Sequence, residues 1–314
     1  MTFVRCIPLL CASRIAPERR VPGANLQKPW TKNRCRRLAA IGVAVAALFA
    51  HPAMADFVGP GTVIVNTNQG AGSQNASNGV MVDLEPGGSI GSASVEFGLV
   101  LNDTSQLNMT GGSLTGFSAG LFADGNGSFS VSGGSISGAF GLDVQGPYNF
   151  TLSGGSFSGG PTSGPGLDML AATGSTGAVS DGTYSGREAI RAGSNSTLSI
   201  SGGQIDGNFF GLDTEGNATV NITGGTYSGA IDALYVQDSG VINVYGTGLQ
   251  FSGGDIVGTL QDGQSIDDTY QMLGGGQINL INATPEATTP EPNFMWLLGA
   301  ALLTLSGVRK SVHS

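Results

Sequence analysis

Three absences set the limits. No cysteine follows Cys35, the only histidines are His51 and His313, and no lysine stands between Lys32 and Lys310. The middle of the chain therefore has no thiol for a disulfide or for nucleophilic chemistry. It has no imidazole for a Ser-His-Asp triad or a His-ligated zinc, and no lysine base. Charge is also scarce, at 11% of the 314 residues. Its distribution is uneven. Residues 1–55 hold nine Lys or Arg and one acid, Glu18. Residues 56–308 hold 21 Asp or Glu and two arginines, Arg187 and Arg191, a balance of 2 − 21 = −19. A nucleic-acid surface needs a basic footprint, and this stretch offers none. Clustered acids suit divalent cations, or solubility outside the cell.

Glycine is abundant instead, 53 residues. Spread aperiodically, that content would indicate low complexity. Here it is periodic. Residues 126–144 read NGSFSVSGGSISGAFGLDV, 195–214 read NSTLSISGGQIDGNFFGLDT and 217–236 read NATVNITGGTYSGAIDALYV. Each unit has a short alternating strand, a Gly-Gly turn, a second short strand and a third that opens with Gly-Leu or Ala-Leu. The leading apolar residue of the third strand is Leu99, Leu121, Leu142, Leu167, Ile190, Leu212 and Leu234, in steps of 22, 21, 25, 23, 22 and 22. The long step contains the insertion GPTSGPG at 160–166. A period near 22 with three strands and no helical signal predicts an all-β solenoid, one turn of a parallel β-helix per repeat.

Alternation assigns the inner face. Phe129 and Val131, Phe150 and Leu152, Leu198 and Ile200, and Val220 and Ile222 sit at matching alternate positions, separated by Ser, Thr or Asn. That is the pattern of a half-buried strand. Ile136, Phe157, Tyr184, Ile205 and Tyr227 mark the inner position of the second strand. Earlier in the chain, 62–66 and 79–84 read as strands and 68–78 as a loop. The stretch 257–282 departs from the period and reads as a closing rung or cap, because the last rung of a solenoid must be covered.

The ends carry different signals. A basic flank precedes the apolar run LAAIGVAVAALFA at 38–50, and Ala53-Met54-Ala55 follows. That order predicts a signal peptide over 1–55, cut between Ala55 and Asp56. The solenoid is expected over 56–282 and a Pro/Thr linker over 283–289. Then come Pro290-Glu291-Pro292, the uncharged run FMWLLGAALLTLSGV at 294–308, and Arg309-Lys310. The run is short for a membrane span, but the basic pair behind it fits a cytoplasmic stop.

Residues 290–314 resemble a PEP-CTERM sorting signal. The resemblance covers these residues alone and implies an exosortase as partner, a transient membrane anchor at 294–308, and cleavage near Pro290-Glu291-Pro292. The implied host is a Gram-negative bacterium that makes exopolysaccharide, and the implied fate is the cell envelope or the extracellular space. It says little about the central domain, since different domains carry this tail.

One column of the solenoid is a candidate site. The residue after each leading apolar one is Val100, Phe122, Asp143, Asp168, Arg191, Asp213 and Tyr235. On successive rungs this puts Asp143, Asp168 and Asp213 around Arg191, with Phe122 and Tyr235 at the ends as glycan contacts. The arrangement is similar to right-handed β-helix enzymes such as pectate lyases and polygalacturonases, whose sites are stacked acids on one face. From that resemblance come the right-handed coil and the reading of Asp143, Asp168, Asp213 and Arg191 as catalytic. Stacked carboxylates could also hold Ca²⁺. Against catalysis stand the recurrence of Asp after Gly-Leu as part of the repeat and the scarcity of basic residues. A solvated acidic face and a non-catalytic, structural or adhesive role in an exopolysaccharide matrix fit the same residues. Asp262-Gly263 and Asp267-Asp268 lack the spacing of a calcium loop and read as turn residues.

Overall fold

The computed structural model describes residues 56–283. The predicted signal peptide with Ala53 and Ala55 lies outside the described residues. So do the linker beyond Ala283 and the sorting signal with Pro290, Glu291, Pro292, the 294–308 run, Arg309 and Lys310. What is described is a parallel β-solenoid of about nine turns, without a helix. Strands run from Phe57–Val58 to Gln277–Asn282.

Each turn contributes a strand to three sheets, termed first, second and third in the order of the repeat. In the first, Leu107, Phe129, Phe150, Gly177, Leu198, Val220, Ile242 and Ile278 align on successive rungs. In the second, Leu114, Ile136, Phe157, Tyr184, Ile205 and Tyr227 do the same. In the third, the leading residues from Leu99 to Leu234 form one column. These columns fill the core. Like stacks on like: Phe129 and Phe150 have ring centroids 4.9 Å apart and planes within 3°, and Phe157 and Tyr184 are 4.8 Å apart within 2°. Those distances equal the spacing of hydrogen-bonded strands. Each stack adds roughly 0.5–1.5 kcal/mol to the burial of its rings. Tyr184 and Tyr227 keep their hydroxyls satisfied by donating to the carbonyls of Asp181 and Gly224, at 3.0 and 2.9 Å.

The Gly-Gly pairs mark the corner between the first and second sheets, and the two glycines answer different needs. The second adopts positive φ, 89° at Gly134 and 100° at Gly203. The first lies against the previous rung. A Cβ on Gly154 would come within 2.5 Å of the Ser132 carbonyl oxygen, and one on Gly133 within 2.7 Å of that of Thr110. Any side chain at the first would push the rungs apart.

One stretch differs from expectation, and the cap expected over 257–282 takes a form of its own. Gln74–Ser77, expected as loop, is a strand of the third sheet, paired with 99–101 of the next rung. Its sequence, QNAS, has no large apolar residue, and Ala76 with the buried Gln74 fills the inner positions. At the other end the chain turns back on itself. Asp255–Leu260 pairs antiparallel with both Val241–Ser252 and Ser265–Met272 before Gln277–Asn282 adds a last parallel strand to the first sheet. Antiparallel return satisfies strand edges that no further rung covers. Asp262 ties this cap to the stack: its carboxylate accepts from the Gln264 and Gly225 amides, at 2.9 and 3.3 Å.

Candidate functional site

The register of the third sheet brings the candidate column together. Val100, Phe122, Asp143, Asp168, Arg191, Asp213 and Tyr235 pair in that order, one per rung. Leu142 and Leu212 point into the core, so the column faces outward. It is not a solvated face, however. Asp168 is 4% exposed, Asp213 6% and Tyr235 9%. Neighbouring outward side chains close over it. Glu188 and Phe210 lie on adjacent rungs three residues before Arg191 and Asp213, and Glu215 and Gln237 flank the other side.

The charges are largely used within the protein. Arg191 grips Asp168 with two hydrogen bonds, Nε to Oδ1 at 3.0 Å and Nη2 to Oδ2 at 2.5 Å. Asp168 Oδ1 also accepts from the Leu170 amide at 2.9 Å. Arg191 Nε lies 4.0 Å from Glu215 Oε1. Arg187 pairs with the buried Glu188 at 2.9 Å, and its guanidinium lies 5.3 Å from the Phe209 ring centroid. Asp143 takes a hydrogen bond from Gln145 at 3.2 Å. The two arginines thus contact three of five carboxylates, Asp168, Glu188 and Glu215. Asp213 Oδ1 and Glu188 Oε2 are buried and meet no partner among the described residues.

Burial moves Asp143, Asp213 and Glu215 toward neutrality. Burial, then the repulsion of Asp168, pushes Asp143 up to about 6, against the Gln145 hydrogen bond and Arg191. Burial, then Glu215 and Glu188, pushes Asp213 up to about 7, with both arginines opposing. Burial also raises Glu215, which Arg191 partly offsets. For Arg191, burial favours the neutral form, but the Asp168 bond outweighs it and the net shift is upward. The column is a place where protons bind near pH 6–7.

The two aromatic positions expected to contact glycan are engaged elsewhere. Phe122 stacks on Phe97 with centroids 4.7 Å apart, and Tyr235 stacks on Phe210 at 4.3 Å. They seal the column at its ends. Separation also limits carboxylate chemistry. Adjacent rungs are about 4.8 Å apart, so Asp143 and Asp213 are separated by roughly 14 Å. The carboxyl pairs of glycosidases lie at roughly 5–9.5 Å. Asp143 and Asp168 are near enough, but Asp168 is held by Arg191. No group of three or more His, Cys, Asp or Glu placed to hold a metal ion occurs among the described residues. Asp56, at the expected cleavage position, is exposed, and its carboxylate accepts from Asn75 Nδ2 at 3.1 Å.

Glu188, Glu215, Phe97 and Phe210 were absent from the sequence reading. The signal for them was available, since each stands two or three residues from the column on the same outward face. It would have required treating that face as a patch three columns wide. The first sheet presents a different kind of surface. Its outward columns run Thr62, Met81, Gln106, Ser128, Asn149, Thr176, Thr197, Thr219, Val241, Gln277 and Ile64, Asp83, Asn108, Ser130, Thr151, Ala178, Ser199, Asn221, Asn243, Asn279. Asp83 is the one charged residue in them. A groove of about 530 Å³ crosses this face from Met81 to Ser199.

Compared with protein-family models, with curated proteins and with solved structures, the chain matches none.

Proposed function

We propose that the protein is an exported structural or adhesive component of the cell envelope or extracellular polysaccharide matrix, sorted by an exosortase through its PEP-CTERM-like tail. The observation that carries this reading is the state of the third-sheet column. Among the residues best suited to chemistry, Asp168 and Arg191 are bound to each other and Asp213 is buried, with stacked rings at both ends of the column. The stack of rungs offers long, regular faces rather than a cleft. The signal-peptide pattern and the Pro-Glu-Pro, apolar, basic order of the tail support export and sorting. A right-handed coil is the hand expected for parallel crossovers.

The alternative, a polysaccharide lyase or hydrolase using Asp143, Asp168, Arg191 and Asp213, has one observation in its favour. Carboxyl groups raised toward neutral pH are common among general acids. One experiment separates the two. The purified full chain is incubated with exopolysaccharide of the native host, with and without Ca²⁺, and polymer size and protein co-elution are followed on a sizing column. Polymer of unchanged size carrying bound protein is the expected result. Shortened polymer, lost in Asp143→Asn and Asp168→Asn, overturns the structural reading. A dependence of binding on Ca²⁺ would assign the acids a cation.

A further inference from the structure

The charge that the third sheet concentrates is missing from the first, and that absence needs its own explanation. Residues 56–308 hold 21 acids. Outward positions on a solenoid are where such acids are cheapest to place, because water solvates them. Yet along the first sheet's two outward columns only Asp83 is charged. The rest are mostly hydroxyls and carboxamides.

We propose that this face, centred on Ser130, Thr151, Thr176 and Thr197, binds an uncharged polysaccharide chain lying along the solenoid axis. The groove runs across several rungs rather than along one strand, so it suits a linear polymer. Ser128, Ser130 and Ala178 are small and leave the space; Thr151, Thr176 and Thr197 are exposed within it or beside it. Hydroxyls both donate and accept. At least one stands on each of the five consecutive rungs from Ser128 to Thr219, about 4.8 Å apart, and so they present a ladder of donors and acceptors to a polymer made of hydroxyls. Short side chains on a rigid sheet lose little rotamer freedom when a ligand orders them.

Charge selects the class of polymer. A body at −19 over 56–308 repels a polyanion, while a polycation would be drawn to exposed acids elsewhere, such as Asp124, Asp206 and Asp238, and not to this face. An uncharged chain pays no penalty here, and the face has few ions to desolvate. Phe129 and Phe150 line the floor of the groove but are nearly fully buried, so they offer little ring surface for stacking and each rung contributes weakly. Affinity must therefore build with the number of rungs engaged, and short oligosaccharides will bind far less than long chains. The inference takes from the matrix reading only that polysaccharide is within reach.

Native gel electrophoresis of the full chain through dextran, xyloglucan, galactomannan or anionic alginate tests it. At least one uncharged polymer is expected to retard the protein, and alginate is not. Thr151→Glu and Thr197→Glu should each weaken retardation tenfold or more. Thr183→Glu, at an exposed position of the second sheet, should leave it unchanged, with equal melting temperatures showing that all three variants fold. The proposal falls if none of the three uncharged polymers retards the chain, if alginate does so equally, or if the first-sheet variants bind like the parent. Failure here is separable from failure of the matrix reading. Protein that stays in the host matrix despite both first-sheet substitutions overturns this site alone. Protein that binds uncharged polymer in the gel but is absent from the host matrix overturns the matrix role alone.

Discussion

The outer faces of the first and third sheets are built from the same rungs and differ in almost every physical respect. The first is exposed, nearly uncharged and made of small polar side chains. The third is covered, holds five carboxylates and two arginines, and is closed at its ends by stacked rings. The same repeat therefore supports two outward environments, one facing solvent and one forming a second, polar core. The difference lies in what stands beside each column. Ser and Thr cannot reach over a neighbour, whereas Phe97, Phe210, Glu188 and Glu215 can, and they shelter what lies between.

If the third-sheet column is a second core, removing its cation should hurt most. Arg191→Ala leaves Asp168 buried without its partner and is expected to cost about 3–5 kcal/mol, read from urea unfolding. A loss below about 1 kcal/mol would mean the column is solvated after all. The opposite sign is expected at the neighbouring rung. Asp213→Asn removes a buried charge that has an unpartnered oxygen, and at pH 8 should stabilise by about 1–3 kcal/mol.

The pH profile sharpens the contrast. Asp143, Asp213 and, in the cap, Asp268 are raised to about 6, 7 and 6 from an ordinary 3.8, burial being the leading cause in each. The folded chain thus holds protons that the unfolded chain releases. Their contribution to stability is full below about pH 4 and is lost as pH rises through 6–7. Melting temperature should be higher at pH 5 than at pH 8, and Asp213→Asn should flatten the slope. A melting temperature that rises from pH 5 to pH 8 would contradict the burial of these acids. On the first sheet, Thr197→Ala should change stability by no more than about 0.5 kcal/mol and be indifferent to pH. A larger loss would show that the exposed hydroxyls hold the rungs together and are not free for a ligand.

The repeat itself was legible in the sequence for a plain reason. Alternation and the 22-residue step are written in side-chain polarity, and parallel in-register stacking places like residues over like. Leu142, Asp143 and their equivalents could be put on rungs by counting. The strand at Gln74–Ser77 could not, because small and polar inner residues leave no periodic signal. Nor could the antiparallel return at Asp255–Leu260, which arises from the lack of a further rung to pair with. For the column, one-dimensional order identifies neighbours along a strand and, through the period, neighbours across rungs. It does not weigh how far Phe210 or Glu188 leans over the adjacent position.

Composition and period by themselves determined that this chain folds as an all-β solenoid with an acidic body, because strand pairing depends on local polarity and on spacing that any repeat makes explicit. Only the tertiary structure decided that Asp168 and Asp213 are buried, that Tyr235 stacks rather than waits for a ligand, and that the first sheet is left open. Burial is a property of everything packed around a residue, and the packing of long side chains over short ones is settled in three dimensions.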